Sequence, residues 1–474
     1  MKHVTHVLFF FLIAALSTAL AQTLVVHPVP QELVYSAHND DFTVRVRRSG
    51  EAWQDLFEYA VDVDMDKVQI ASMVTFDFSG TVEVAVTANN ETIQAVQIRP
   101  LSAEIVPTLR GKTLYFKLNQ PRNLSIEING DKRHNLHLFA NPLETYKPNP
   151  NDPNIVYFGP GIHTPGDKPG DVFNIPSDKT VYLAGGAVLR GKLVCDKVKN
   201  VRILGRGILD HPLRGIEITH SENVEVDGLI VRNPQHYTVY GGQSKGITIR
   251  NLKSFSCKGW SDGIDLMSCS DVLVDNVFMR NSDDCIALYG HRWNYYGSCR
   301  NVTVKNSILW ADVAHPINLG LHGNTVSVGD TLENITFTNI DILEHDEDDP
   351  NYQGCMAISC GDLNLIRNIR FENIRVDDFE EGQLVNLRVL YNQKYNTGPG
   401  RNIEDVLFKN ITYTGALANP SIIEGLSEKG AIKGVTFDNI SINGKQILST
   451  TDFGLKVGRF TEAIKFTPVS ATLK

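Results

Sequence analysis

Three short segments place polar residues at one position ahead of an apolar-x-apolar pair. They are Asp262-Gly-Ile264-Asp-Leu266, Asp284-Cys-Ile286-Ala-Leu288 and His315-Pro-Ile317-Asn-Leu319. Tyr237-Thr-Val239-Tyr-Gly241 precedes them in the same frame, and Gly354-Cys-Met356-Ala-Ile358 follows. If the third and fifth residues of each segment point inward on stacked strands, then Tyr237, Asp262, Asp284 and His315 form a column. Neighbouring strands lie about 4.8 Å apart, so Asp262 and Asp284 are expected to be close neighbours. Two carboxylates at that spacing cannot both ionise cheaply, and together they can hold and deprotonate a water. Asp283 must point elsewhere, over the cleft from the turn, where it can keep a proton for a leaving oxygen. This division of labour is that of an inverting glycosidase, with Asp283 as acid and Asp262 with Asp284 as the base pair. His315 is placed to tune Asp283 or to bind the leaving sugar. An Asp-Asp pair at a strand end, taken alone, reads as a turn or a solvated edge; the register across coils is what points to chemistry. Asp265 reads as a structural hydrogen-bonding residue.

Residues suited to sugars surround this column: Gln235, His236, Tyr237, Tyr240, His291, Arg292, Trp293, Tyr295 and Tyr296. Aromatic faces stack on pyranose rings while polar tips take hydroxyls, so His236, Tyr237, His291, Arg292, Trp293 and Tyr295 are the candidate substrate-binding residues. The loop from Tyr289 to Ser298 is expected to form a wall of the cleft. Its aromatics could equally pack on one another. No cofactor and no metal is expected. The acidic run Glu344 to Asp349 reads as a solvated loop rather than a calcium site.

The elements that would position the column repeat along the chain. Nine segments share an apolar-x-apolar-x-(Gly/Asn) core, beginning at Val201, Val224, Ile247, Val272, Val302, Ile335, Ile369, Val406 and Val435. Their steps run from about 23 to about 37 residues, the range of a repeat architecture with variable loops. Alternation turns one side of each strand inward, and the closing Gly or Asn tolerates the positive φ of a bend. Stacked Asn side chains are expected to hydrogen-bond in a ladder, which also accounts for sequons such as Asn301-Val-Thr303 and Asn410-Ile-Thr412. The fold class is therefore all-β, a right-handed parallel β-helix (solenoid) over residues 151–474. Before it, residues 22–150 alternate in short runs such as Phe42 to Val46 and Val82 to Thr87, and read as a β-sandwich-like domain.

Residues 1–21 have the basic start, apolar run and small residues of a secretory signal peptide, so a secreted or periplasmic location is expected. A net charge of −9 argues against nucleic acid and anionic membranes as partners. A polysaccharide or oligosaccharide substrate and a monomer are expected. Seven cysteines leave at least one unpaired; Cys355 and Cys360 are near enough in sequence to bridge, but spacing does not decide pairing.

At Val156-Tyr-Phe-Gly-Pro-Gly161, Val181-Tyr-Leu-Ala-Gly-Gly-Ala187, Val201 to Asp210, Ser261-Asp-Gly-Ile-Asp265 and Asn281-Ser-Asp-Asp-Cys-Ile-Ala-Leu288 the sequence resembles the glycoside hydrolase clan of polygalacturonases (family 28) and dextranases (family 49). The resemblance implies Asp283 as general acid and Asp262 and Asp284 as the water-activating pair, the assignment reached from the coils. His315 sits where polygalacturonases carry the His of a Gly-His-Gly segment, although Ala314 and Pro316 flank it here. The Arg-Ile-Lys segment that grips uronate in those enzymes is missing, since the next coil reads Gly354-Cys-Met-Ala-Ile-Ser-Cys360. Arg292, Arg388 or Lys394 are the candidates to replace it. A sandwich ahead of the β-helix is similar to the dextranase layout, and the two departures together point toward an α-linked glycan of a neutral or non-galacturonate sugar. The competing readings are a polysaccharide lyase, for which a basic catalytic partner is wanting, and a non-catalytic glycan-binding solenoid, which has no use for stacked carboxylates.

Overall fold

A computed structural model describes residues 23–468 apart from 167, 169 and 417; the leader expected over residues 1–21 lies outside them. Among the described residues, the chain opens with a six-stranded and a five-stranded sheet and continues as a parallel solenoid. Val44, Val84 and Leu114 from one N-terminal sheet pack against Phe76, Leu124 and Leu138 from the other, all fully buried, as alternating strands of a sandwich require.

The nine repeats are in register. Val201 pairs Val224, and the ladder continues through Ile247, Val272, Val302, Ile335, Ile369 and Val406 to Val435. Two residues on, Phe337, Phe371, Phe408 and Phe437 stack inside the coil with centroids 5.4, 4.9 and 4.8 Å apart and planes within 13°. Each such pair adds about 0.5–1.5 kcal/mol to the burial of the rings. The expected Asn ladder is present: Asn339 donates to Asn306, Asn410 to Asn373 and Asn439 to Asn410, each at 2.8 Å. Their φ values of 54 to 56° are the left-handed conformation that Asn tolerates. A second ladder, Asn223 to Asn200 and Asn368 to Asn334 to Asn301, runs at the opening of the same strands. The amide nitrogens of Asn301 and Asn410 are thus engaged as donors within the stack.

One further register column faces the sandwich: Asp210, Arg232, Phe255, Arg280, Trp310 and Glu344. Arg232 donates to the Ala60 carbonyl at 2.8 Å. Phe255 packs on Phe139 and His137, and Lys132 donates to Glu344 at 2.5 Å. At the far end, Ile440 to Ile447 turns back as a hairpin, and Lys465–Thr467 adds a parallel strand. All seven cysteines are buried free thiols, Cys355 and Cys360 included. No helix among the described residues is long and apolar enough to cross a membrane.

Candidate active site

An eleven-stranded parallel sheet carries the site among the described residues. Ile264, Ile286 and Ile317 stack in register and point into the core, which aligns Asp262, Asp284 and His315 two residues earlier. Backbone bonds extend the pairing through those positions: Thr238 N–H donates to the Asp262 carbonyl, Gly263 N–H to that of Asp284 and Cys285 N–H to that of His315, each at 2.8 Å. Gly263 is needed for this close approach, because a Cβ there would run into the Cys285 carbonyl.

Asp283 is aimed by a local irregularity. The strand Phe278–Ser282 shifts register against its neighbour between Asn281 and Ser282, a bulge of the kind that redirects a side chain. Asp283 itself takes a φ of 152°, a region costing a non-glycine residue on the order of 1–3 kcal/mol. The strain turns its half-buried carboxyl onto the trio while two backbone donors fix it: Trp260 N–H to Oδ2 at 2.9 Å and Asp284 N–H to Oδ1 at 3.1 Å.

One oxygen from each of Asp262, Asp283 and Asp284 lies within 4.8 Å of the others. Two acceptors each about 2.8 Å from a single water sit roughly 4.5 Å apart at a tetrahedral angle, so the trio can share one water. The same oxygens could share a cation. Against that, Asp284 is already engaged by three donors: His315 N–H (3.0 Å) and Nδ1 (2.7 Å) on Oδ1, and Asn318 Nδ2 (2.8 Å) on Oδ2. The other His315 nitrogen donates to the Tyr352 carbonyl at 2.5 Å, so only an imidazolium satisfies both ring contacts.

The three carboxyls are held in different states. Burial would raise Asp284, but the His315 charge, with the His315 and Asn318 hydrogen bonds, outweighs it and keeps Asp284 below the ordinary value. Burial would depress His315, yet Asp284 holds it up at about 9. Asp262 is pushed well above the ordinary range by burial and then by Asp265, Asp283 and Asp284. Asp283 rises to about 6 through burial and the Asp284 charge. The cluster thus biases Asp284 toward its ionised form and Asp262 toward its protonated form, while Asp283 loses its proton near pH 6. If Asp283 must give a proton and Asp284 accept one, kcat/KM falls as pH rises through about 6. It persists below the ordinary aspartate value of 3.8 on the acid side. Rates across a buffer series would check this; a rate climbing from about pH 5 to about pH 8 would remove Asp283 as the acid.

Other predicted residues fall into two groups. Arg292, Trp293 and His291 line a groove of ≈ 670 Å³ with Tyr296, His322 and Tyr395. The Arg292 guanidinium lies 4.8 Å from the Tyr289 ring, 5.2 Å from Trp293 and 5.8 Å from Tyr237. Its one hydrogen bond among the described residues is a long one, 3.5 Å to Asp265. Asp265 is fully buried, and burial raises it to about 8 despite Arg292, so it does not neutralise the cation near neutral pH. Tyr237, by contrast, is only 1 % exposed and stacks under Trp293, which is the exposed ring of the pair. Tyr295 is half-buried and packs against His220 and Tyr240. His236 packs edge-on to Tyr237 and accepts its backbone N–H; burial and nearby arginines lower it to about 4, so it is neutral. His315 is fully buried and bonded to Asp284 rather than to Asp283, and its charge lowers Asp283 as well. Of the other candidate cations, Arg388 is spent on Asn351 and Glu424, and Lys394 sits exposed over the Tyr395 ring. Trp260, 71 % exposed beside Asp283, was not among the sequence candidates.

The profile described as glycosyl hydrolases family 28 matches residues 185–456, more than half of the chain. A probable endopolygalacturonase D of Neosartorya fischeri is 24 % identical over 314 residues, covering 60 % of each chain. A probable endo-xylogalacturonan hydrolase A of the same fungus is 26 % identical over 271 residues, covering 53 % of this chain and 59 % of the other. The chain therefore spans about 60 % of the length of the curated relatives it matches. The solved structure of Dex49A from Penicillium minioluteum superposes at a TM-score of 0.55 and 15 % identity, over 91 % of this chain and 94 % of that one. Coverage so broad extends the likeness of fold into the N-terminal sheets.

Proposed function

The chain belongs to glycosyl hydrolases family 28, and we propose that it hydrolyses an α-linked, uronate-containing polysaccharide with inversion, Asp283 giving the proton and Asp262 with Asp284 holding the water. The observation that carries this reading is three carboxyls with one oxygen each within 4.8 Å, in surroundings that push their proton affinities apart. Water, and not a carboxylate, is the attacking group. Asp284 already accepts from three donors, and burial with its acidic neighbours disfavours the ionised form of Asp262, so neither is a ready nucleophile. Water binds with one hydrogen toward Asp284; the glycosidic oxygen takes the Asp283 proton, and the bond to the anomeric carbon breaks as the water oxygen adds and passes that hydrogen to Asp284. His315 is a positioning residue whose charge keeps Asp284 ionised.

The uronate rests on Arg292. Its guanidinium has five donors, one long contact and an aromatic collar beside Asp262, an arrangement that an anionic substituent completes. The names of the relatives, endopolygalacturonase and endo-xylogalacturonan hydrolase, agree with an acidic sugar. This replaces the neutral sugar expected from Gly354 to Cys360, because the cation comes from the loop after Tyr289 instead. A polymeric substrate also fits export of the chain to the outside or a periplasm, a monomer acting alone, and the division into a sandwich at 22–150 and a β-helix from 151.

Reducing-end release from polygalacturonate, rhamnogalacturonan, dextran and pullulan, with the first-formed anomer read by proton NMR, tests the whole reading. Release from a galacturonan with the β-anomer appearing first is expected. Cleavage of dextran alone would sink the uronate, a first-formed α-anomer the inversion, and unsaturated products absorbing in the ultraviolet the hydrolysis itself.

A further inference from the structure

We propose that Trp260 is the stacking platform for the departing sugar, the first ring on the reducing-end side of the cleaved bond; this rests on Asp283 being the acid. A large indole left 71 % exposed forgoes burial that the chain could otherwise use. Its backbone adopts a φ of 58°, which a bulky residue takes only when its surroundings enforce it. The enforcement is visible in the turn Lys258 to Ser261. Ser261 Oγ donates to the Lys258 carbonyl at 2.6 Å and accepts the Lys258 N–H at 3.1 Å. Ser261 N–H donates to the same carbonyl at 3.2 Å, and Ser256 Oγ donates to the Ser261 carbonyl at 2.5 Å. Ser261 is fully buried, so the turn is anchored in the coil while the indole is presented outward. None of the ring pairs among the described residues includes Trp260.

Its placement assigns the flank. The Trp260 N–H is 2.9 Å from Asp283 Oδ2, so the residue bearing the exposed ring is one hydrogen bond from the acid. The oxygen that receives the acid's proton belongs to the leaving sugar, which must therefore start within hydrogen-bond reach of Asp283. Arg292, Tyr237 and Trp293 sit instead with Asp265 and Asp262, the latter one of the pair proposed to hold the water. An aromatic face is what a pyranose offers its apolar side to, and it accepts a neutral or an acidic ring equally well.

Trp260→Ala and Trp260→Phe, assayed on polygalacturonate, separate this role from a structural one. Loss of stacking should raise KM about ten-fold and change kcat less than about three-fold. Trp260→Phe should recover most of the loss. The limb near pH 6 should stay in place, because the backbone N–H to Asp283 remains. An unchanged KM would overturn the proposal, as would a loss carried by kcat with that limb displaced, which would mark Trp260 as a brace for the turn. Affinity electrophoresis through gels containing the same four polysaccharides reads binding whether or not bonds are cut, and so keeps this test apart from the hydrolysis reading. Retardation of the wild type that Trp260→Ala loses supports the platform; equal retardation of both, or none of the wild type, refutes it.

Discussion

Asp283→Asn is expected to lower kcat about 10²–10⁴-fold on whichever polysaccharide the wild type cleaves, the span that a positioned general acid contributes. The substitution is nearly isosteric and sits in a site of fixed backbone donors, so the fold and KM should change little. The amide keeps one of the two N–H contacts from Trp260 and Asp284, and it removes the like charge that raises Asp262. A second signature separates the acid from the base. An aryl glycoside whose leaving phenolate needs no proton should be hydrolysed by Asp283→Asn at a rate near wild type. Asp284→Asn, which removes the proton acceptor and strands the His315 charge, should fail on both substrates. The residual rate of Asp283→Asn should also lose its fall near pH 6. Equal loss on the natural and the activated substrate would mean that Asp283 does something other than donate a proton.

The column of Tyr237, Asp262, Asp284 and His315 was legible in the sequence because strand alternation has a period of two and stacked coils preserve register. Once Ile264, Ile286 and Ile317 point inward, the residues two places earlier have no freedom. What lay outside this rule was not legible. The direction of Asp283 depends on a bulge at Asn281 and Ser282 and on a φ of 152°, and neither has a residue signature, since nothing there is Gly or Pro. Trp260 stands alone in a turn, and a single tryptophan has no periodicity to mark which way it faces. His315 was read toward Asp283, which its charge does lower, but its place in the column made Asp284 the hydrogen-bonding partner. The largest omission was the outward column Asp210, Arg232, Phe255, Arg280, Trp310 and Glu344. Charged residues at the outer face of a solenoid read as solvated, and only the docked sandwich reveals that they are buried.

That buried column implies a large mechanical role for the N-terminal sheets, and Arg280→Ala is expected to expose it. Arg280 has no exposed side-chain surface. Two of its nitrogens donate to Asp312, a third to Asn135 and His137, and it also donates to the Lys132 carbonyl while lying 4.0 Å over Trp310. Asp312 in turn accepts the Asp64 N–H, so the Arg280–Asp312 pair ties two segments of the sandwich, 132–137 and Asp64, to two coils. Removing it strands a buried carboxylate, which costs about 3–5 kcal/mol, a large share of the roughly 5–15 kcal/mol that holds a typical domain. The effect should reach catalysis as well. Arg280 lies two residues before Ser282, whose Oγ accepts the Met65 N–H at 3.0 Å, and Ser282 carries the bulge that aims Asp283. A loosened sandwich therefore frees the acid's support, and kcat should fall at temperatures where the protein is still folded. Arg280→Met with Asp312→Leu removes both charges and fills the space. That pair should recover most of the melting temperature, since two buried charges are replaced by packing, yet it should recover less of kcat because the Asp64 N–H loses its acceptor. If Arg280→Ala melts within a degree or so of wild type, the interface is not bearing the load assigned to it. If the double variant restores kcat in full, the link from the sandwich through Ser282 to Asp283 is wrong, and the sandwich acts on stability alone.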